Sequence, residues 1–220
     1  MFQAKRPIEA PECSKALGYN NLATMAALHK IFHGKCYLCE QSNLNDPEIE
    51  HLEPHMGNED KKFSWENLYY SCSRCNSIKG TKHTDILDCC NEDIDVFKAI
   101  KCVATAIGDH DIIVEPANGH DDERTLNTVD LISRCYNDRT TATRGVTRAE
   151  LAAKIHEELV YYLNLRLGIL NKRSTPEEIE SSTQKMKVMF SEKYPFSAIW
   201  KWHVIEDSLL YDQVKDHIDF

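Results

Sequence analysis

The sequence predicts an α+β chain: a small N-terminal unit of two short strands and one short helix, clamped at both ends by cysteines, followed by a mainly α-helical C-terminal region. Three observations predict it. Two Cys-x-x-Cys pairs, Cys36/Cys39 and Cys72/Cys75, stand 32 residues apart. Between them lie two short runs of strand composition, Glu48-Ile-Glu-His-Leu and Leu68-Tyr-Tyr. From Thr125 onward, apolar residues recur at helical spacing over long stretches. The expected organisation is an arm and helix over 1–34, the clamped unit over 35–84, and the helical region over 85–220.

Residues 1–20 carry Pro7, Pro11 and Gly18 and read as an extended arm that either packs on the domain or docks on a partner. Leu22 to Phe32 reads as a helix, with Asn20 or Asn21 as N-cap and Gly34 as its stop. His29 and His33 sit at i, i+4 there and are expected on a solvated face. The first cysteine turn follows, then a loop from Ser42 to Pro47, then the first strand, ended by Pro54. Residues 56–64 are a polar loop. The second strand leads into the second cysteine turn, and a short helix from Cys75 to Lys79 ends at Gly80.

Beyond residue 84, a helix is expected at 93–107 (Ile94, Phe97, Ile100, Val103, Ile107) and a strand at Ile112-Ile-Val114. Residues 116–124 read as loop and Thr125 to Tyr136 as helix. Thr147, with Glu150 three residues on, forms a capping box opening a long helix. Its apolar stripe is Leu151, Ile155, Leu159, Tyr162, Leu163, Leu167 and Leu170. Ser174/Thr175-Pro-Glu-Glu starts another helix, with Pro176 at the first helical position, and Tyr194-Pro195 ends it. The tail with Trp200 and Trp202 is expected to be helical.

Composition bounds the function. No run approaches the roughly 20 apolar residues of a membrane span, and the N-terminus has no apolar signal core. A cytoplasmic protein with reduced thiols is expected. Nine cysteines is an odd number, and four of them fall in paired Cys-x-x-Cys, a pattern that in a reducing compartment suits metal binding better than a disulfide framework. Cys13, Cys89, Cys90, Cys102 and Cys135 show no ligand spacing and read as small, partly buried hydrophobes. The net charge of −9 argues against an autonomous nucleic-acid binder, because phosphate binding rests on Lys and Arg. The excess is uneven: residues 85–124 alone carry eleven acids and three bases.

Two Cys-x-x-Cys turns suit a closed tetrahedral site for structural Zn²⁺. The insert they enclose is too small to build its own core, so the ion would hold it together. Inside the insert, His51 is the natural general base for a water near neutral pH. Glu50 and the amide of Asn76 offer oxygens suited to a hard ion such as Mg²⁺, with Mn²⁺ as the alternative. Glu50 and His51 are neighbours on a strand and therefore point to opposite sides, so a strand end or a kink is needed if both address one site.

The set Cys36, Cys39, Glu50, His51, Pro54, Trp65, Asn67, Leu68, Cys72, Cys75, Asn76 and Lys79 resembles the HNH (ββα-metal) nucleases. The resemblance implies that His51 is the general base and that Glu50 and Asn76 hold the catalytic Mg²⁺. It implies that Asn67 cross-braces the loop and that Lys79 contacts phosphate. Glu stands where Asp is commoner, and Asn76 where the last His is commoner; both keep an oxygen for a hard ion. Arg74, Lys79 and Lys82 form a small basic patch, and His55 is a further candidate for phosphate contact.

The wording I-E-H-x-x-P, W-x-N-L and S-C-x-x-C-N-x-x-K-G is similar to the PtuB family, the HNH effectors of Septu-type and retron-associated anti-phage defence. That resemblance implies a PtuA-like ABC/SMC-type ATPase as partner, and in retron forms a reverse transcriptase with its msDNA. The chain itself has no G-x-x-x-x-G-K-[ST]. DNA is the first expected substrate and host tRNA the second. A zinc-stabilised scaffold without catalysis and an autonomous restriction-type or homing nuclease are the competing readings.

Overall fold

The computed structural model describes residues 1–7, 11, 16–105, 111–117 and 119–220. Cys13 and Ile107, which figure in the expectations above, lie outside them. The architecture is α+β with two small antiparallel sheets among the described residues. Helix α1 (Leu22–Ile31) is capped by Asn21, whose side chain accepts from the Thr24 amide. Strands β1 (Pro47–His51) and β2 (Leu68–Cys72) pair so that Pro47 faces Cys72 and His51 faces Leu68. A short helix α2 (Glu59–Phe63) lies in the loop between them, and α3 (Ser73–Lys79) follows β2 directly. The order strand, loop, strand, helix between two cysteine turns is the one expected.

The start of the N-terminal arm, residues 1–6, packs on the domain. Met1, Phe2 and Ala4 are buried, and the Ala4 amide donates to the Cys89 carbonyl at 2.8 Å. Arg6 donates to the carbonyls of Trp65 and Leu68, and its guanidinium lies 4.6 Å from the Tyr69 ring centre.

Beyond residue 84 the expectations need correction. The helix expected at 93–107 is a single turn, α4 (Val96–Ala99), running into β3 (Ile100–Val103). β3 pairs with β4 (Ile113–Pro116), Ile100 opposite Pro116. Ile94, Phe97, Ile100 and Val103 fit a helical period, but Ile100 to Val103 also alternates, and its buried positions are Ile100 and Cys102. Pairing with β4 selects the alternating reading, a tertiary effect that overrides local pattern. α5 (Glu123–Asn137) starts two residues before its expected start and ends one residue beyond its expected end.

The long helix α6 (Ala142–Leu170) begins five residues before Thr147. Its cap is Thr141, which accepts from the Arg144 amide at 3.2 Å. Thr147 lies inside the helix, where its hydroxyl bonds back to the Thr143 carbonyl at 3.1 Å. The buried stripe runs Arg148, Leu151, Ile155, Leu159, Tyr162, Leu165 and Ile169. Leu163 and Leu167, expected inside, are 40% and 59% exposed: past Tyr162 the core follows the neighbouring ridge. α7 (Pro176–Phe190) has the full capping box, Thr175 with Glu178, and Pro176 at its first position. α8 (Ser197–Glu206) and α9 (Ser208–Val214) complete the helical tail.

One continuous apolar core runs from Phe2 and Phe32 through Tyr69 and Leu131 to Trp200 and Val214, across the boundary expected at 84/85. The first cysteine turn is tied into that core by charge. Glu40 and Lys35 are both fully buried and 3.3 Å apart, and Glu40 also accepts from the Ser197 hydroxyl at the start of α8. Burial opposes its ionisation, but Lys35 holds Glu40 down at about 2. Burial pulls the Lys35 ammonium downward at the same time, so the pair fastens α8 to the turn at a solvation cost. No described helix is long and apolar enough to cross a membrane.

Candidate functional site

The four cysteines converge. Cys36 and Cys39 lie on a turn whose Glu40 amide donates to the Cys36 carbonyl at 2.9 Å, with Glu40 at a positive φ of 57°. The Tyr37 amide donates to the Tyr70 carbonyl, fixing that turn on β2. Cys72 ends β2 and serves as the N-cap of α3, its sulfur accepting from the Cys75 amide at 3.4 Å. The four sulfurs lie within 4.8 Å of one another and all four residues are buried. The Cys39 and Cys72 sulfurs are 3.9 Å apart. A tetrahedron with Zn–S of about 2.3 Å has an edge of about 3.8 Å, so this cluster could hold a zinc ion.

The electrostatics of the cluster also fit a cation. Burial opposes ionisation of Cys36, yet hydrogen bonds from the Cys39, Cys72 and Cys75 thiols hold it well below the ordinary thiol value. Cys39 is pushed up by its hydrogen bond with Cys36, and Cys75 by its hydrogen bond with Cys135. Four crowded, buried thiols therefore do not all ionise unaided, and a divalent ion would supply the missing charge. Cys135, read from sequence as core, borders the cluster from α5, and the neighbouring Tyr136 hydroxyl donates to the Cys39 carbonyl at 3.1 Å. Nothing in the spacing of Cys135 signals that position, which arises from packing of α5 on α3.

The polar residues between the cysteines divide into two groups. Glu48 and Glu50, two apart on β1, both meet α3. The Asn76 amide donates to Glu48 Oε2 at 2.5 Å, and Lys79 Nζ donates to Glu50 Oε1 and to the His51 carbonyl, each at 2.7 Å. Two-residue steps on the strand thus match three-residue steps on the helix. Glu48 was missed in the sequence reading, although the strand period puts it on the same side as Glu50. Burial raises the Glu50 carboxyl, and Lys79 opposes that rise.

His51 meets the other group. Its Nε2 lies 3.0 Å from the Lys62 carbonyl, and its ring packs edge-on against Tyr19 and His55, centres 4.7 and 4.9 Å away. A carbonyl only accepts, so Nε2 carries the proton and Nδ1 is the free base. Burial lowers the His51 pKa, which keeps the ring neutral.

Asn67 braces the same loop. Its Nδ2 donates to the carbonyls of Glu53 and Lys61, and its Oδ1 accepts from the Glu53 amide at 2.7 Å. The Leu52 amide donates to the Asn67 carbonyl at 3.0 Å. Lys61 and Lys62 are neighbours, so the residue that fixes the loop also fixes the acceptor that orients His51. The Lys62 carbonyl and Tyr19 carry no sequence signal for this role.

Two expected phosphate contacts are corrected. Lys79 is fully buried with its ammonium between Glu50 and the His51 carbonyl, so it is an internal counter-charge. Arg74 donates to the carbonyls of Cys135, Asp138 and Arg144 and to the Thr147 hydroxyl. It anchors α3 to α5 and α6. Both carry positive charge, but each meets acceptors inside the fold first. Lys82 is exposed and His55 half-buried, its Nδ1 accepting from the Gly57 amide. His29 is exposed and His33 half-buried, and neither joins a metal-sized group among the described residues. No protein-family profile matches the chain, and a search of curated proteins gives no match.

Proposed function

We propose that the chain is a metal-dependent endonuclease of the HNH type. In this reading it hydrolyses phosphodiester bonds of nucleic acid, DNA first, as the effector of an anti-phage defence complex. One observation carries the reading: His51 is oriented by the Lys62 carbonyl in a loop that Asn67 holds through three backbone hydrogen bonds. A buried, neutral imidazole with one nitrogen fixed as donor leaves the other to take a proton from an attacking water. Glu50 and Asn76, with Glu48 beside them, offer the oxygens that would hold Mg²⁺, or Mn²⁺ in its place. Glu50 faces α3 and His51 the Lys62 loop, so one scissile phosphate would meet both only across the end of β1, where His51 is the last residue. Such an ion stabilises a leaving alkoxide when bound. Lys79 fixes Glu50 and the carbonyl of His51, and Lys82 and His55 remain for phosphate contact.

The acidic balance, −9 overall, supports a partner that brings substrate and control. A PtuA-like ATPase is that partner in this reading. A reverse transcriptase with msDNA joins it in the retron form, whose substrate is host tRNA. The test is His51→Ala, purified with its zinc content unchanged and assayed with Mg²⁺ on plasmid DNA and on tRNA, with and without a PtuA-like ATPase. Cleavage falls by about 10²–10⁴-fold on whichever substrate is cut; unchanged cleavage sinks the proposal.

A second reading, a zinc-stabilised scaffold, draws on the pairing of Glu50 with Lys79 and of Glu48 with Asn76, which engages the oxygens a metal needs. It predicts no Mg²⁺-dependent cleavage by the unmodified chain under any of these conditions.

A further inference from the structure

We propose that Cys89 and Cys90 are a peroxide-sensitive dithiol that closes reversibly into a disulfide between adjacent residues. The pair follows Asp88 in a tight turn held by the Cys90 amide donating to Asp88 Oδ1 at 2.7 Å. The two sulfurs and an Asp88 oxygen lie within 4.8 Å of one another. Cys89 is fully buried and Cys90 partly exposed, so a small oxidant reaches Cys90 first. The Arg6 guanidinium, held in place by the Trp65 and Leu68 carbonyls, interacts electrostatically with both sulfurs.

A cationic group beside a partly exposed thiol favours the thiolate. The Cys90 thiol is held below its ordinary value, chiefly by its hydrogen bond with the Cys89 thiol; burial opposes this and Arg6 reinforces it. Cys89 is pushed up by that same hydrogen bond and stays protonated. The arrangement therefore has one attacking and one resolving sulfur. It suits a divalent metal less well: Arg6 opposes a second cation, and Asp88 Oδ1 already accepts from the Tyr69 hydroxyl and the Cys90 amide.

The chemistry balances with a hydroperoxide as oxidant. The Cys90 thiolate attacks the O–O bond, becomes a sulfenic acid and releases hydroxide, which takes a proton to give water. The Cys89 sulfur then attacks the Cys90 sulfur. The sulfenic oxygen leaves with the Cys89 proton as a second water, and two thiols have been oxidised while the peroxide is reduced. Adjacent Cα atoms are about 3.8 Å apart, below the roughly 4.4–6.8 Å usual for a disulfide, so the bond is strained and readily reduced. Closure acts on a turn that holds the N-terminal arm, through the Ala4 backbone amide donating to the Cys89 carbonyl and the Gln3 side-chain Nε2 donating to the Asn91 carbonyl.

The test treats the zinc-loaded protein with hydrogen peroxide and maps tryptic peptides without reduction. Residues 83–98 form one peptide holding both cysteines and no others. Expected is loss of two hydrogen masses from that peptide, restored by dithiothreitol. Cys90→Ser abolishes the change, and Cys89→Ser replaces it with a dimedone adduct on Cys90. The proposal is overturned if that peptide stays reduced while zinc is released from the other four cysteines. It is equally overturned if the untreated protein carries a second tightly held metal that Cys90→Ser removes.

Discussion

The cysteines and the polar residues they enclose share one stretch of chain but behave oppositely. Cys36, Cys39, Cys72 and Cys75 come from two distant turns and converge within 4.8 Å. Glu50 and His51 are sequence neighbours and diverge, one to Lys79 on α3 and the other to the Lys62 carbonyl. A Cys-x-x-Cys turn brings its two sulfurs to one point through local backbone geometry. A strand sends consecutive side chains apart, whatever their chemistry. A thiol clamp is thus nearly a local property, whereas a set of polar side chains at a strand end depends on what packs on each side.

That contrast can be broken at either end. The largest effect is expected at the cysteines. If the cluster holds zinc, Cys72→Ser, or chelation of the native protein, removes it and unfolds the clamped unit, a loss on the order of 10 kcal/mol by analogy with small zinc domains. Zinc analysis with circular dichroism checks it; a fully folded, zinc-free chain would show that the apolar core holds the unit alone. Next comes the pair facing α3. Lys79→Met leaves Glu50 buried without its partner and costs about 3–5 kcal/mol in a denaturant melt, while Lys82→Met at the surface stays within about 0.5 kcal/mol. Equal small effects would return Lys79 to the role of a free phosphate contact.

On the other side of β1, Asn67→Ala removes three hydrogen bonds and costs about 1.5–4 kcal/mol. Its zinc content is unchanged, and under the nuclease reading its cleavage falls along with His51 orientation. The smallest effect is a pH dependence. Burial lowers His51 from 6.5, so the neutral base is present above that value and is lost on acidification. Under the nuclease reading the rate is then flat above about pH 6.5 and falls at lower pH, with the limb absent in His51→Ala. A limb at higher pH would assign the base to another group.

Legibility followed the range of the interactions. The clamp, α1, β1, β2, α3 and the start of α7 were legible because each rests on residues within a few positions: the Cys-x-x-Cys spacing, Asn20 or Asn21 before Leu22, Ser174/Thr175 before Pro176. The helix expected at 93–107 failed because Ile100 to Val103 fits two periods, and pairing with β4 decides between them. The cap at Thr147 failed because a Thr with a Glu three residues on can also sit inside a helix, its hydroxyl bonded backwards. Charge was the least legible. Arg74, Lys79 and Lys82 look alike in sequence, yet two are engaged inside the fold and one is exposed.

The sequence alone determined the thiol clamp, the order of elements inside it, and the identity of a His, an acid and two asparagines at defined steps along it. Tertiary structure decided which of those side chains meet. It placed Asn76 on Glu48, Lys79 on Glu50, Asn67 on the loop that orients His51, and Cys135 beside the sulfur cluster. The physical reason is that turn geometry and capping act over three or four residues. The partner of a buried charge is instead set by which helix lands on which face of a strand, and that depends on the whole core.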